Sequence, residues 1–387
     1  MRSAPSTPNA APAKNVPVAQ ERVWRHHGLG MDVARVGTAD SYEVDLTLHP
    51  LPGENLEAML RRLDALLSEW KVTPVLQLIL GSLDSLKDGE ACLRRVFGDE
   101  EWPVTWLEGA HTSGGLAGTQ VFAVSKREIH RIKAGGRVKA MVFNNGNARH
   151  CLLGGLGYGY ANLSRPEQTQ RTLEELDSLL KPDGFEFSDI ARTWFYLQDI
   201  LDWYNDFNKV RTSFYNKYEF RVGSLPASTG ISAQNPWGSA LSLAVWAVRP
   251  LSGTTPPVRE VISPLQCPAA CYGSSFSRAV EMDVPGGRRL LVSGTASIEP
   301  GGKTLWTGEI QKQISLTMEV VEAILQSRNI SIQDVSRASL YFKRPEFRTA
   351  FAEWAKFHGA ENLPGIPVHC DICRDDLLFE IELDALV

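Results

Sequence analysis

The segment CRDDLLFEIELDALV (373–387) sets a carboxyl group inside an apolar run, with Glu380 flanked by Leu377, Leu378, Phe379 and Ile381. Desolvation favours the neutral acid, so Glu380 is a candidate proton donor near neutral pH. Strand alternation puts Glu380 and Glu382 on one face and Phe379 and Ile381 on the other, and Glu382 reads as a solvated strand residue. In YNDFNKVRTSFY, Arg211 and Tyr215 lie one helical turn apart, a pair suited to holding a carboxylate or a hydroxyl. Guanidinium groups bind carboxylates in a fork, which makes Arg278 in FSRA and Arg149 in NARH further candidates for an anionic ligand. The plainer reading of each arginine is a surface salt bridge. The pairs Cys267/Cys271 and Cys370/Cys373 approach zinc-ligand spacing. The second pair lies in an alternating segment whose neighbouring side chains diverge, so no metal is expected. GGLGYGY (154–160) lacks the lysine of a phosphate-binding loop, and no serine or histidine has a nucleophile-elbow context.

These residues sit in a chain of 387 residues, 43% hydrophobic and 22% charged, with a net charge of -5. That is ordinary globular composition, large enough for several domains. The acidic balance argues against nucleic-acid binding, which leans on basic patches. No run approaches the roughly 18 apolar residues of a membrane span. Residues 1–22, rich in Ala, Pro, Ser and Asn, have no apolar signal core and read as a disordered leader. Six cysteines without an export signal read as thiols, placing the protein in the cytoplasm.

One pattern recurs three times: amphipathic helix, short apolar strand, second helix, Gly/Pro loop, closing strand. The first copy has helices at 54–70 and 86–98 and strands at 74–82 and 118–125. The second has helices at 166–182 and 201–218 and strands at 190–200 and 239–248. The third has helices at 309–329 and 345–359 and strands at 335–343 and 377–387. Each copy is preceded by strand-rich sequence, most plainly the hairpin at 274–303 with its Pro-Gly-Gly turn. The expected fold class is therefore α+β, with helices on one face of each mixed sheet. The units run over 23–130, 131–255 and 256–387.

The third unit resembles the Rid family in SFSRAV followed by LLVSGTASIEPGG, in VSRASLYFKRPEFRTAFAEW and in LLFEIELDAL. The second unit shows the same style in IARTWFYLQDILDWYNDFN and LPASTGI, and the first is the most eroded. Rid proteins are trimers with sites between subunits, so the resemblance implies a monomer folded as a pseudo-trimer. From about residue 20 the chain also resembles the chorismatases, in FNNGNARHCLLGG, WYNDFNKVRTSFYNKY, SLPASTGISAQNP, FSRA, SGTASI and CRDDLLFEIE. This implies a cofactor-free enzyme that releases pyruvate from chorismate, with no nucleic-acid or membrane partner.

The resemblance also implies roles. Glu380 matches the family's general acid, which protonates the enolpyruvyl methylene. A cysteine at 373 matches the subtype that forms 3-hydroxybenzoate, alone or together with 4-hydroxybenzoate; the hydrolytic subtype, forming a dihydroxycyclohexadiene carboxylate, has an aliphatic residue there. Arg278, Arg149, Arg211 and Tyr215 would hold the substrate, and Ala296 in SGTAS would line the pocket. The alternatives are the hydrolytic outcome, a Rid-like imine hydrolase, or a non-catalytic binder of small acids. The imine reading is weakened because the loops LPGIPVHCD and LPASTGI lack the arginine of Rid deaminases.

Overall fold

The computed structural model describes residues 23–38, 41–99, 101–109, 115–125, 127–223, 225–251, 258–269 and 273–387. The expected leader and Cys271 lie outside them. Three six-stranded sheets form the frame. The first contains β1 (Val23–Gly28), β2 (Met31–Gly37), β3 (Tyr42–Leu48), β4 (Val72–Gly81), β5 (Val104–Glu108) and β6 (Leu116–Ser125). The second contains β7 (Ile129–Ala134), β8 (Arg137–Asn144), β9 (Ala148–Leu156), β10 (Ile190–Leu197), β11 (Ala227–Ser232) and β12 (Leu241–Pro250). The third contains β13 (Val258–Val261), β14 (Ala279–Val284), β15 (Gly287–Ala296), β16 (Val335–Phe342), β17 (Gly365–His369) and β18 (Phe379–Leu386). The strand order is the same in all three: β1-β2-β3-β6-β4-β5, then β7-β8-β9-β12-β10-β11, then β13-β14-β15-β18-β16-β17. In each, the edge strand β5, β11 or β17 pairs in parallel and its neighbour continues antiparallel.

Helices cover one face of each sheet, as expected. They are α1 (Leu56–Trp70), α2 (Leu83–Leu86) and α3 (Gly89–Phe97) on the first, α4 (Arg165–Leu180) and α5 (Ile200–Tyr215) on the second, and α6 (Ile310–Gln326) and α7 (Phe347–His358) on the third. The helix expected over 86–98 is shorter, with the one-turn α2 before it. α3 begins at Gly89, where a Cβ would meet the Trp106 ring at 2.3 Å. The edge strands β5, β11 and β17 were not expected.

Alternation along the strands gives each sheet two different faces. Phe379, Ile381, Leu383 and Ala385 of β18 face α6 and α7 in one apolar core. The opposite faces of all three sheets meet in a common core that includes Leu78, Phe122, Met141, Trp194, Trp246, Val280 and Leu291. Charged residues cross this junction in pairs. Arg289 of the third sheet donates to Asp45 of the first at 2.7 and 2.9 Å. Arg337 donates to Gln120 at 2.7 Å, and Arg192 of the second sheet pairs with Glu382 of the third. Buried pairs of this kind add little net stability when intact, but losing one partner costs about 3–5 kcal/mol.

Candidate active site

Glu380 faces a crevice between the third sheet and the edge strand of the second. It stands opposite Ala296 of β15 and Tyr341 of β16 in the sheet register. The cavity is lined by Glu380, Cys373, Arg278 and Ala296 from the third unit, and by Tyr204, Arg211, Ser228 and Gly230 from the second. Its core holds about 50 Å³, and about 540 Å³ of empty space when the open mouth is included.

Glu380 is 5% exposed. Burial raises its carboxyl to about 8; the Glu382 charge adds to the rise, and Arg192 and Arg278 oppose it. The carboxyl is therefore mostly neutral at pH 7. The apolar neighbours Phe379 and Ile381 do not produce this, because they point to the helix side. The carboxyl instead lies against the Gly294 backbone of the neighbouring strand, and Ala296 lines the same cavity.

Glu382 is not solvated, contrary to the expectation from its strand position. It is fully buried, paired with Arg192 and Arg337 and accepts from the Thr229 hydroxyl at 2.7 Å. Burial alone would raise its pKa, but the Arg337 and Arg192 guanidinium groups outweigh that and hold it below the usual carboxylate range. Two glutamates two residues apart are thus kept in opposite protonation states by their surroundings. The same polar layer fixes the crevice: Thr229 accepts from Arg192 at 2.7 Å and from the Gly294 amide at 3.1 Å, and the Ser293 hydroxyl accepts from the Ser228 amide at 2.8 Å.

Arg211 is 1% exposed and projects from α5 toward the cavity. It donates to Asn208 at 2.7 Å, its Nε has no partner, and no carboxylate pairs with it among the described residues. Arg278 donates to the Cys267 carbonyl at 3.2 Å and lies over the Phe276 ring. The Cys373 thiol is pushed up to about 12, first by burial and then by the Glu380 charge. It stays protonated, suited to shaping the wall and to weak hydrogen bonding but not to attack as a thiolate.

Five of the seven expected residues therefore meet: Glu380, Cys373, Arg278, Arg211 and Ala296. Two do not. Arg149 lies on β9, 3.6 Å from Asp183 and over the Phe185 ring, the plain salt-bridge outcome. Tyr215 is buried against Phe187 and Phe220 in the core of the second unit. The tyrosine at the cavity is Tyr204, whose hydroxyl would lie 3.5 Å from a Cβ on Gly230. It is seven residues before Arg211, two turns along the same helix face, a spacing visible in the sequence. Arg374, beside Cys373, also lines the cavity and donates to the Gly302 carbonyl at 2.7 Å. Among the described residues no cluster of His, Cys, Asp and Glu is arranged to hold a metal, and no helix is long and apolar enough to cross a membrane.

No protein-family profile matches the chain. It is 27% identical over 228 residues to a 3-hydroxybenzoate synthase of Streptomyces hygroscopicus, covering 52% of this chain and 64% of that protein. It is 26% identical over 212 residues to a chorismatase of the same organism, covering 50% of this chain and 60% of that protein. The matched region is thus under two thirds of the length of these relatives. A crystal structure of a chorismatase superposes with a TM-score of 0.57 at 19% identity, covering 81% of this chain and 93% of that one. The chain is a homologue of chorismatases and of a 3-hydroxybenzoate synthase, and it is built on the chorismatase fold.

Proposed function

We propose that the protein converts chorismate to 3-hydroxybenzoate and pyruvate without a cofactor, with Glu380 as general acid. The observation that carries this reading is the neutral Glu380 carboxyl in a crevice lined by guanidinium groups. Chorismate has two carboxylates and an enol ether. Arg211, Arg278 and Arg374 supply cations for the carboxylates, and Tyr204 supplies a hydroxyl for the ring.

Glu380 gives its proton to the enolpyruvyl methylene carbon, and the positive charge develops on the adjacent ether carbon. The Glu380 carboxylate left behind stabilises that charge at short range. The bridging C–O bond breaks and the three-carbon fragment leaves as pyruvate. The C4 hydroxyl oxygen closes onto the C3 cation left by that cleavage as its proton returns to the Glu380 carboxylate. The C4–O bond then opens and the C3 proton is lost to the oxygen, which leaves the oxygen on C3 and the ring aromatic as 3-hydroxybenzoate, whereas direct loss of the C4 proton would give the 4-isomer. Chorismate divides into hydroxybenzoate and pyruvate with no net water, whereas the hydrolytic outcome consumes one. Cys373 and Ala296, against Glu380 in the wall, are placed to control whether water reaches the cationic ring.

The test is direct. Purified protein is incubated with chorismate, pyruvate is followed by a coupled dehydrogenase, and the ring products are separated by chromatography. Pyruvate and 3-hydroxybenzoate in equal amounts are expected. A diene diol in place of the hydroxybenzoate overturns the product, and no pyruvate overturns the activity.

A further inference from the structure

The three units are built alike, so every position at the Glu380 crevice has two counterparts. The registers supply them. Leu383 pairs with Val292 and Ala338, Val245 with Leu153 and Thr193, and Val121 with Leu46 and Gln77. Counting from these anchors, Glu380 corresponds to Ser242 in the second unit and Gly118 in the first. Arg278 precedes Ala279, which pairs with Val292; its counterparts are Lys139, preceding Ala140, and Asp32, preceding Val33. Gly294 and Gly155 occupy the same place, each inside the irregular step between the third and sixth strands of its sheet. On the facing edge strands, Ser228 and Gly230 correspond to Val104 and Trp106.

The crevice between the first sheet and β17 has lost its chemistry. It has an acid where Arg278 stands and a glycine where Glu380 stands, and a Cβ on that glycine would meet the Ile366 side chain at 2.9 Å. The crevice between the second sheet and β5 is different. It is open, with a volume of about 300 Å³, and about 980 Å³ including its mouth. Lys139, Gly155, Val104 and Trp106 all line it. The cation is therefore kept, while the proton donor is replaced by serine and a glycine by an indole.

Lys139 is 8% exposed. Its ammonium donates to the Gly155 carbonyl and lies 5.3 Å from the Tyr158 ring centre. Among the described residues no carboxylate pairs with it, and burial pushes its pKa down. A buried ammonium without a counterion is costly unless something completes it. At the mouth, Glu90 is already taken up by Arg137 at 2.9 Å. The lining holds three cations, Lys139, Arg137 and Arg94, against two acids, Glu90 and Glu101, a surplus that fits a monoanion. Trp102, Trp106 and Tyr158 form aromatic walls, with Leu93 and Val138 between them, a surface for the face or edge of a ring.

We propose that the crevice between the first and second units is a second binding site, for a small ring carboxylate held by Lys139, and that it binds without turnover. Its wall lacks the acid that the Glu380 crevice carries. The inference rests on Lys139 and its aromatic walls and does not require that chorismate reacts at Glu380.

The probe is benzoate, titrated calorimetrically into the full chain, with benzamide as the uncharged isostere. Benzoate is expected to saturate a site that benzamide fills at least roughly tenfold more weakly. Lys139→Met removes the charge at similar length and Leu93→Trp fills the crevice without touching the lysine; each abolishes that site, and Arg278→Met leaves it in place. Melting curves establish that each variant is folded, and if Lys139→Met does not fold, Leu93→Trp decides. The proposal is overturned if benzoate shows no binding up to about 10 mM, if Leu93→Trp binds as the wild type does, or if the only binding seen is lost with Arg278→Met.

Discussion

A Cβ on Gly294 would lie 2.1 Å from Oε1 of Glu380. The glycine is thus the floor on which the acid rests, and its bare backbone lets the carboxyl sit deep enough to stay neutral. Gly294→Ala forces Glu380 to turn away, and turning carries it toward water or toward Glu382. The expected result is a fall in chorismate turnover of roughly a hundredfold or more, from a misplaced acid, with a stability loss of about 1–3 kcal/mol from overpacking. Pyruvate release and a thermal melt on the same preparation check both. Wild-type turnover in a folded Gly294→Ala protein rules out this positioning role.

The raised pKa of Glu380 makes two pH predictions. Only the protonated form donates, so turnover falls as the pH rises through about 8. Stability moves the same way. A carboxyl that titrates near 8 when folded and near its ordinary value when unfolded binds more protons in the folded state between those limits. Its contribution is full below the unfolded value and is lost as the pH rises through the folded one. Glu380→Gln removes this penalty, so the variant melts higher than the wild type at pH 9 and shows little gain at pH 4. At the same time it loses turnover by orders of magnitude and still binds chorismate. A wild-type pH profile flat from 6 to 9 removes Glu380 as the acid.

The helices and long strands were legible because their apolar residues repeat at helical or alternating spacing over many residues, as in α6 and β16. The edge strands β5, β11 and β17 were not. They are short, carry Gly or Pro in β11 and β17, and are held by parallel pairing to a distant segment that local pattern does not reveal. The site was legible where motif and strand face agreed, as for Glu380 and Arg278. Tyr215 was expected beside Arg211, and Tyr204 lines the cavity instead: both lie within helical reach of Arg211, and periodicity cannot say which side of α5 meets the neighbouring unit. Glu382 is buried rather than solvated because its partners Arg192 and Arg337 come from other strands, one of them on another sheet, which strand alternation does not reveal. The two charged pairs that cross between sheets, Arg289–Asp45 and Arg192–Glu382, share that feature.

Cys373 is expected to steer the product rather than set the rate. Its protonated thiol lines the wall beside Glu380, so it takes no part in the proton transfer. Cys373→Ala opens space of about one sulfur atom, enough to admit solvent to the ring. The predicted outcome is pyruvate release within roughly tenfold of the wild type, with part of the 3-hydroxybenzoate replaced by the hydrolytic diene diol. Chromatography of the ring products reads the ratio. An unchanged ratio with unchanged turnover makes Cys373 a packing residue only.

Arg211 separates binding from stability. Among the described residues its guanidinium meets one neutral side-chain acceptor, Asn208, and the Phe195 and Phe207 rings, and its Nε is unpaired, so no carboxylate there balances its charge. A bound carboxylate would relieve it. Arg211→Met keeps most of the apolar stem and deletes the charge, and replacing a buried ion by an apolar chain of similar volume is often neutral or stabilising. The melting temperature should hold or rise, while KM for chorismate rises roughly ten- to hundredfold with the loss of a charge-assisted contact. A purely structural arginine gives the reverse: a lower melting temperature with KM unchanged. The two readings therefore move the two measurements in opposite directions, and one variant decides between them.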